Sequence, residues 1–359
     1  MKIGILGSGQ LGAMLADAAV RLGHQVAFYD SADGAPTKRF QATTVAGFDD
    51  ETALQKFAQT CDVVTYEFEN IPVETVQIIE QYTPVHPAKK ALAISQDRLL
   101  EKEFLQSIGI GTPRFQCASS LDELQSACQA VGFPCVIKTR RFGYDGKGQA
   151  RVSEVSEVAK AWHSLQSTGL IVEGYVPFSR ELSIIGTRDI HGNVVTYPLI
   201  ENTHIDGILH RSEIPAPAIS RELQSQTQTM IESLLHALDY VGTITMELFD
   251  VRGEILANEI APRVHNSGHA TIESLETSQF ENHIRAITGM ELGTPDPHAR
   301  AVMYNIIGSI PEMEKLSEYT SIFPHLYDKE PRPGRKLGHI TLLNPAESEE
   351  QLVKGLCRR

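Results

Sequence analysis

A glycine-rich segment between two short apolar strands is the feature that most constrains the fold of this chain. Residues 135–138 (CVIK) predict a strand ending at Lys138, and a strand resumes at residues 150–152 after the segment RRFGYDGKGQ. A P-loop instead joins a strand to a helix and reads GxxxxGK[ST], which this segment does not. The backbone N–H groups of such a segment can bind phosphate oxygens, and Lys138 adds a point charge. We therefore predict a phosphate-binding hairpin; the alternative is a solvated hairpin with incidental basic residues.

Two glutamates are predicted to face each other in a second hairpin further along the chain. Residues 243–250 (TITMELFD) and 255–262 (ILANEIAP) read as strands joined by VRGE, so Glu247 and Glu259 come close, with Asn258 beside them. Two adjacent carboxylates repel each other unless a proton or a cation lies between them. Magnesium prefers hard oxygen ligands and usually also binds substrate phosphates. The spacing therefore predicts a magnesium site; the alternative is two unrelated, exposed glutamates.

A third group of polar residues lies between these two motifs. Glu173 ends an apolar strand predicted at residues 169–173, and Glu181 begins the next strand, at residues 180–185. The Glu181 carboxylate can accept hydrogen bonds from ribose hydroxyls, and the backbone of residues 173–176 can contact adenine. Spacing alone does not distinguish these residues from two ordinary strand ends. The prediction depends on the motifs on either side.

The N-terminus carries a GxGxxG motif that has three interpretations. GSGQLG (residues 7–12) follows a strand predicted at residues 2–6, opens a predicted helix and precedes Asp30, as in dinucleotide-binding folds. These glycines can bind NAD(P), can seat part of a phosphorylated substrate, or can simply close a tight turn, because N–H groups at a helix start favour an anion. The strand–helix unit ends near residue 95, which is short for two mononucleotide-binding halves. The second and third interpretations are therefore favoured.

Charge and cysteine content exclude several classes of protein. The formal net charge of -13 repels nucleic-acid backbones, so we expect no nucleic-acid partner. Five scattered cysteines without a CxxC pair indicate neither a set of disulfides nor a zinc site, but a reduced, cytoplasmic protein. No segment approaches the ~20 consecutive apolar residues of a membrane span, so we expect no membrane partner.

Strand and helix patterns divide the chain into three predicted domains. Strands and helices alternate over residues 1–96, which predicts a parallel, Rossmann-like domain. Residues 97–295 begin with an amphipathic helix and contain the phosphate and metal motifs. Residues 296–359 contain strands predicted at 304–307 and 338–343, which indicate a small β-rich C-terminal domain.

In their order and spacing, these motifs resemble the ATP-grasp superfamily. The resemblance is carried by GILGSGQLGAML, RRFGYDGKGQ, VEGYVPFSRELS, TITMELF, NEIAPRVHNSGH and RPGRKLGHI. Within that superfamily, the combination of GYDGKGQ, APRVHNSGH and RPGRKLGH is similar to the 5-(carboxyamino)imidazole ribonucleotide synthases of purine biosynthesis. The resemblance implies an α/β (α+β) fold: an ATP-grasp domain preceded by a Rossmann-like pre-ATP-grasp domain and followed by a small β-rich C-terminal lobe.

The resemblance also implies site residues at the matching positions. ATP contacts fall on Arg98, Lys138, Gly143, Tyr144, Asp145, Gly146, Lys147, Gly148, Gln149, Glu173, Gly174, Tyr175, Val176, Glu181, His204, Asn258 and Glu259. Magnesium ligands fall on Glu247 and Glu259, and the catalytic positions near bicarbonate and the reacting amine fall on Arg263, His265 and Asn266. Ribonucleotide contacts fall on Tyr144, Asp145, Lys147, Lys329, Arg335 and Lys336, with Glu67 or Glu69 as a further contact.

The implied reaction activates a small carboxylate with ATP. ATP phosphorylates bicarbonate to carboxyphosphate, and this intermediate, or the CO₂ it releases, carboxylates the exocyclic amine of 5-aminoimidazole ribonucleotide. Because carboxyphosphate hydrolyses readily, we expect the GYDGKGQ hairpin to exclude water as a lid. The implied ligands are ATP, Mg²⁺, bicarbonate and the ribonucleotide, and the implied assembly is a homodimer.

Three other functions stay open. A formate-dependent glycinamide ribonucleotide formyltransferase of the same superfamily would have similar early motifs. An NAD-dependent oxidoreductase could be built on GSGQLG. A catalytically inactive nucleotide-binding regulator is the third, although the intact Lys138, Glu247 and Glu259 argue against it.

Overall fold

The computed structural model describes residues 1–40, 42–143, 146–165, 167 and 169–357. The strands are β1 (Lys2–Leu6), β2 (Gln25–Asp30), β3 (Thr44–Val45), β4 (Val63–Tyr66), β5 (Phe115–Ala118), β6 (Cys135–Thr139), β7 (Gln149–Val152), β8 (Leu170–Gly174), β9 (Arg180–Arg188), β10 (Val194–Thr196), β11 (Ile200–Ile205), β12 (Ile208–Ile214), β13 (Gly242–Val251), β14 (Glu254–Ala261), β15 (Ala301–Ile307), β16 (Ile322–Leu326) and β17 (Lys336–Leu343). The α-helices are α1 (Gln10–Arg21), α2 (Glu51–Ala58), α3 (Val73–Ile79), α4 (Lys89–Ser95), α5 (Arg98–Ser107), α6 (Leu121–Val131), α7 (Val158–Leu165), α8 (Arg221–Ala237), α9 (Thr271–Ser274), α10 (Gln279–Thr288) and α11 (Glu347–Leu356). Among the helices of this described part, none is both long and apolar enough to cross a membrane.

The N-terminal strands form a small parallel sheet in the order β3-β2-β1-β4. The central strand β1 is apolar, and its Ile3 pairs with Val26 on one side and with Val63 on the other. Such strands are buried on both faces, which favours the apolar sequence of β1. The alternation of strands and helices predicted for the start of the chain is therefore confirmed.

A second sheet is antiparallel and carries the glycine-rich segment, in the order β5-β8-β6-β7. Strands β6 and β7 pair from Cys135 opposite Val152 to Lys138 opposite Gln149. The predicted strand–loop–strand arrangement is therefore confirmed. Helices α6 and α7 pack on this sheet through a shared apolar core that includes Leu124. The loop therefore begins and ends on strands that are packed against helices.

The largest sheet is antiparallel and has the order β14-β13-β9-β11-β12-β15-β17-β16, with β10 paired to β9. Strands β13 and β14 form the predicted carboxylate hairpin. The C-terminal strands join this sheet through β12, where Ser212 pairs with Met303. The C-terminal lobe thus extends the central sheet, which satisfies the edge of β12. The domain boundaries at 1–96, 97–295 and 296–359 stay a prediction.

Helix α1 joins the N-terminal sheet to the rest of the molecule. Its Leu11 and Leu15 share an apolar cluster with Phe280 and Ile284 of α10 and with Tyr327 near the C-terminus. Burial of apolar surface stabilises such a contact by about 25 cal/mol per Å². The packing places the N-terminal sheet against α10, which in turn contacts strand β13 of the largest sheet.

Candidate active site

One cavity of about 410 Å³ collects most of the site residues predicted from the sequence. The predicted residues that line it are Glu69, Arg98, Lys138, Gly143, Gly146, Lys147, Gln149, Glu173, Gly174, Tyr175, Val176, Glu181, His204, Glu247, Asn258, Glu259, Arg263, His265, Asn266 and Lys336. Gly148, Glu67, Lys329 and Arg335 are outside this lining. Tyr144 and Asp145 lie outside the described residues.

Lys138 belongs to a buried row of charges. Its Nζ lies 2.8 Å from Oε2 of Glu173, and Nζ of Lys102 lies 3.3 Å from Oε1 of the same carboxylate. Burial alone would raise the pKa of Glu173, but the charges of Lys138 and Lys102 lower it to about 2. Lys102 is fully buried and also donates to the carbonyl oxygen of Asn258 at 3.1 Å. This row therefore fixes Lys138 on β6 against the carboxylate hairpin.

The two predicted metal ligands stand directly opposite each other. Glu247 on β13 pairs with Glu259 on β14. Each carboxylate has a cationic or imidazole partner: Oε1 of Glu247 lies 3.2 Å from Nε2 of His265, and Oε2 of Glu259 lies 2.7 Å from Nη1 of Arg98. Burial opposes ionisation of Glu247, yet the hydrogen bond and charge of His265 hold the pKa of Glu247 below its ordinary value. Glu247 therefore stays ionised in the cavity wall.

The donor set at this pair fits magnesium. Oδ1 of Asn258 is buried and has no hydrogen-bond partner within the described part of the chain. Across those same ranges, no cluster of three or more His, Cys, Asp or Glu side chains is arranged to hold a metal ion. Magnesium commonly uses one or two carboxylates and completes its shell with phosphates and water. Glu247 and Glu259 therefore suit magnesium bound together with a nucleotide.

The predicted catalytic residues surround the same pair. Arg263 forks onto Glu69: Nε contacts one carboxylate oxygen, and Nη2 lies 3.0 Å from the other. Burial would raise the pKa of Glu69, but Arg263 lowers it. Gln279 holds the backbone of His265, because its side chain accepts from the His265 N–H at 2.9 Å and donates to the His265 carbonyl at 2.6 Å. Both side-chain polar atoms of Asn266 are buried without a partner among the described residues.

Another part of the cavity lining combines aromatic rings with a paired carboxylate. Phe178 and Phe249 stack with centroids 4.8 Å apart, at an angle of 6° between their ring planes. Nδ1 of His204 lies 3.0 Å from Oε2 of Glu181. Burial alone would lower the pKa of His204, but its hydrogen bond with Glu181 raises it. Flat apolar surfaces beside a polar pair are typical of a nucleoside site.

The glycine turn of GSGQLG is already occupied by a side chain of the protein. The Glu67 carboxylate accepts from the N–H of Gly9 and, at 2.5 Å, from that of Gly12. Asp30 accepts from the N–H of Ser8 at 2.8 Å and from its hydroxyl at 2.6 Å. The groups that hold a pyrophosphate and a ribose in a dinucleotide-binding fold are therefore engaged internally. Glu69, rather than Glu67, lines the cavity.

The basic C-terminal residues approach the cavity from the side of this turn. Lys336 lines the cavity. Nζ of Lys329 donates to the side-chain oxygen of Gln10, which also lines it. Burial lowers the pKa of Lys329 to about 8 although Glu67 opposes this effect. Nη1 of Arg335 donates to the carbonyl of Glu330 at 3.1 Å.

Sequence reasoning missed several residues of the cavity and its support. Phe249 could have been found, because it stands two positions after Glu247 on one strand and so shares its face. Phe178 follows Val176 by two positions, but it lies in the segment between β8 and β9, which is not a regular strand. Sequence periodicity therefore does not indicate which way its side chain faces. Gln10 and Lys102 gave no signal, because their partners lie far away along the chain.

Three domain families match the chain in succession. Residues 1–96 match the Ribonucleotide synthetase preATP-grasp domain, residues 103–280 match the ATP-grasp domain, and residues 301–352 match the Phosphoribosylaminoimidazole carboxylase C-terminal domain. Together with the cavity, these matches define an ATP-dependent ligase of the ATP-grasp class.

Relatives identify the family within that class. Over 352 residues the chain is 45% identical to the N5-carboxyaminoimidazole ribonucleotide synthase of Brucella melitensis, covering 96% of each chain. The chain belongs to the N5-carboxyaminoimidazole ribonucleotide synthase family, as its resemblance to the 5-(carboxyamino)imidazole ribonucleotide synthases indicates. The synthetase structure from Thermus thermophilus matches with a TM-score of 0.95 and 44% identity over 99% of each chain. The synthase from Aspergillus clavatus in complex with ADP and 5-aminoimidazole ribonucleotide matches with a TM-score of 0.91 and 30% identity over 99% of this chain and 97% of that one.

Proposed function

We propose that this protein uses ATP and bicarbonate to carboxylate 5-aminoimidazole ribonucleotide, giving 5-(carboxyamino)imidazole ribonucleotide, ADP and phosphate. The observation that carries the proposal is one cavity that holds Lys138, the Glu247–Glu259 pair and the Arg263–His265 corner. These three parts suit ATP phosphates, their metal and a small anion beside a reacting amine. Membership of the family supports the same assignment.

The first step is phosphoryl transfer to bicarbonate. A bicarbonate oxygen attacks the γ-phosphorus of ATP, and the bond from that phosphorus to the bridging oxygen of ADP breaks. Lys138 attracts the phosphate oxygens, and Arg98 adds positive charge beside Glu259. Glu247 and Glu259 would hold magnesium, which would supply positive charge to neutralise the ATP phosphates. Arg263 and His265 stand where the small anion would be held next to that pair.

The second step forms the carbon–nitrogen bond. The exocyclic amine attacks the carbon of carboxyphosphate, or of the CO₂ that it releases, and phosphate leaves with the bridging oxygen. The amine must lose a proton, and His265 is the imidazole of the cavity beside Glu247. The basic residues Lys329, Arg335 and Lys336 would balance the ribonucleotide phosphate. In the same proposal, Glu69 rather than Glu67 is the acidic residue that contacts the substrate, since Glu69 lines the cavity.

The cellular setting is part of the same proposal. The reaction would take place in the cytoplasm, since the five cysteines include no bonded pair among the described residues and the substrates are small anions. A homodimer is proposed on the resemblance alone. Sedimentation at micromolar concentration tests it, because a monomer of unchanged activity would contradict it.

A substrate screen for ADP release tests the function. Bicarbonate and formate are each combined with 5-aminoimidazole ribonucleotide or glycinamide ribonucleotide, and NADH consumption is followed in parallel. We expect ADP release only with bicarbonate and 5-aminoimidazole ribonucleotide. Formate-dependent turnover of glycinamide ribonucleotide would instead assign the protein to the formyltransferases. NADH oxidation would indicate that the glycine turn binds a dinucleotide, although Glu67 occupies its N–H groups in the structure.

A further inference from the structure

Asp97 contacts the first residues of the glycine-rich loop, and it is not itself part of the cavity lining. It stands at the residue before α5 and is only 4% exposed. Its Oδ1 accepts from the backbone N–H of Leu99 at 3.1 Å, which caps the helix. A cap alone needs one oxygen and little burial, so the second oxygen requires another explanation.

The Asp97 carboxylate also forms ion pairs with two arginines at the start of the glycine-rich loop. Arg140 forks onto it, with Nε 2.9 Å from Oδ1 and Nη2 2.7 Å from Oδ2, and Nε of Arg141 lies 3.3 Å from Oδ2. The backbone joins the same contact, because the N–H of Arg98 donates to the carbonyl of Arg140 at 3.0 Å. A bidentate fork fixes direction as well as distance. The segment that begins the loop is therefore oriented by the first turn of α5.

The first turn of α5 also contacts the carboxylate hairpin and the loop itself. Arg98 donates from Nη1 to Glu259 at 2.7 Å and from Nη2 to the carbonyl of Gly143 at 3.3 Å. One turn later, Glu101 accepts from the N–H of Ile260 at 2.6 Å. A shift of the Asp97 contact would therefore move the loop relative to Glu259. The spacing between residues 140–143 and Glu259 therefore depends on this junction.

We propose that Asp97 is a positioning residue for nucleotide binding: through Arg140 it fixes the start of the glycine-rich loop, residues 140–143, relative to Glu259, and so places this segment beside the phosphates of bound ATP. The proposal rests on the proposed function only for the coupled reaction, because nucleotide affinity can be measured without the acceptor. It predicts weaker nucleotide binding and leakage of the activated intermediate to water when the fork is lost.

The substitution Asp97→Asn separates this role from helix capping. Asparagine caps a helix about as well as aspartate does, so its side-chain oxygen can still accept from Leu99. Its amide donors, however, face the donors of Arg140 and break the fork. Loss of a charge-assisted pair of this kind corresponds to roughly a tenfold to hundredfold loss of affinity. Arg140→Gln removes the same fork from the side of the loop.

The matched control is Asp189→Asn. Asp189 is 1% exposed and accepts from the N–H groups of His191 and Asn193 at 2.8 and 2.9 Å in a turn outside the cavity lining. It therefore resembles Asp97 in burial and in backbone contacts but has no arginine fork to the loop. A loss caused by destabilisation alone would be shared by both variants.

The experiment measures calorimetric Kd for a non-hydrolysable ATP analogue with Mg²⁺, KM for ATP, and the ratio of ADP formed to ribonucleotide carboxylated. We expect Asp97→Asn and Arg140→Gln each to raise Kd and KM at least about tenfold and to raise the product ratio above that of wild type. The double variant should be no worse than the more impaired single variant, because both remove one contact. Asp189→Asn should keep the wild-type Kd and ratio.

Each outcome decides the proposal. Wild-type Kd and product ratio in Asp97→Asn would overturn it, as would additive losses in the double variant. If Asp97→Asn does not fold, Arg140→Gln decides alone, and a wild-type Kd there would overturn the proposal. If wild type binds the analogue but carboxylates nothing, the proposed function fails, while the Kd comparison still tests Asp97.

Discussion

At the scale of single residues, the cavity is built from opposite charges that neutralise each other at short range. Glu173 sits between Lys138 and Lys102, and Glu69 is held by Arg263. Removing one partner of a buried pair leaves the other charge without solvent or a counter-charge. The resulting loss of folding free energy exceeds the stabilisation that the intact pair provides. Substitutions at these residues therefore separate binding from folding only where a second partner remains.

Lys138→Met meets that condition, because Lys102 still neutralises Glu173. We expect a stability loss of about 1–3 kcal/mol and a loss of kcat/KM for ATP of at least about a hundredfold, since the phosphate oxygens lose their point charge. Thermal unfolding and ADP release measure the two effects. Lys160→Met on the exposed face of α7 is the control, and wild-type ADP production by Lys138→Met would remove Lys138 from the phosphate site.

Glu259→Gln tests the metal site. The substitution preserves size but removes one of the two facing carboxylates, so we expect the Mg²⁺ concentration for half-maximal rate to rise about tenfold or more. Mn²⁺ binding in the presence of ADP, followed by electron paramagnetic resonance, provides a readout independent of turnover. Glu254→Gln, at the exposed start of the same strand, is the control. Unchanged metal titrations in Glu259→Gln would show that the hairpin holds no metal.

Lys329 predicts a pH dependence. Burial lowers its pKa to about 8, so the ammonium is charged below that pH and becomes neutral above it. If Lys329 balances the ribonucleotide phosphate, kcat/KM for the ribonucleotide falls as pH rises through about 8, because this parameter reports groups of the free enzyme. In Lys329→Arg the guanidinium stays charged, and the fall should move to higher pH. Superimposable profiles for the two proteins would exclude the lysine as the titrating group.

Individual site residues were predictable where a motif fixed their neighbours. The lysine at the end of an apolar strand and the two glutamates across a short turn follow from local pattern, and the strand pairing of Glu247 with Glu259 confirms the hairpin. Lys102 was not predictable, because its acceptor Asn258 lies 156 residues away along the chain. The engagement of the GSGQLG turn by Glu67 was hidden for the same reason.

At the scale of elements, helix α5 connects parts of the site that no sequence pattern links. Its amphipathic pattern predicts a helix but indicates no contact for its polar residues Glu101 and Lys102. In the structure Glu101 and Lys102 are buried and contact the carboxylate hairpin, β13–β14. The hydrophobic periodicity of a strand or helix indicates which of its faces is apolar, but it does not indicate which polar side chains make buried contacts.

The packing of α1 on α10 gives a prediction at this scale. Ile284 is fully buried in the cluster that joins the two helices, so Ile284→Ala should lower the free energy of unfolding by about 2–5 kcal/mol. Ile310→Ala, at a side chain that is 45% exposed, should change it by less than about 0.5 kcal/mol. Urea unfolding measures both. Equal effects would mean that the α1–α10 contact does not hold the N-terminal sheet in place.

At the scale of the whole molecule, the site exists only because three sheets converge. The small antiparallel sheet brings Lys138, the central sheet brings the glutamate pair, and the N-terminal unit brings Gln10 and Glu69. The sequence predicted the three units and their order. It could not predict that the C-terminal strands continue the central sheet through β12, because pairing between distant strands has no local signal.

Transfer of an oxygen isotope from bicarbonate to phosphate reports whether bicarbonate is phosphorylated before the carbon–nitrogen bond forms. The protein is incubated with ATP, Mg²⁺, 5-aminoimidazole ribonucleotide and bicarbonate labelled with heavy oxygen, and the phosphate released is analysed by mass spectrometry. If a bicarbonate oxygen attacks the γ-phosphorus and leaves as the bridging oxygen, each phosphate carries one labelled oxygen. Unlabelled phosphate, formed while the ribonucleotide is carboxylated, would show that bicarbonate is not phosphorylated.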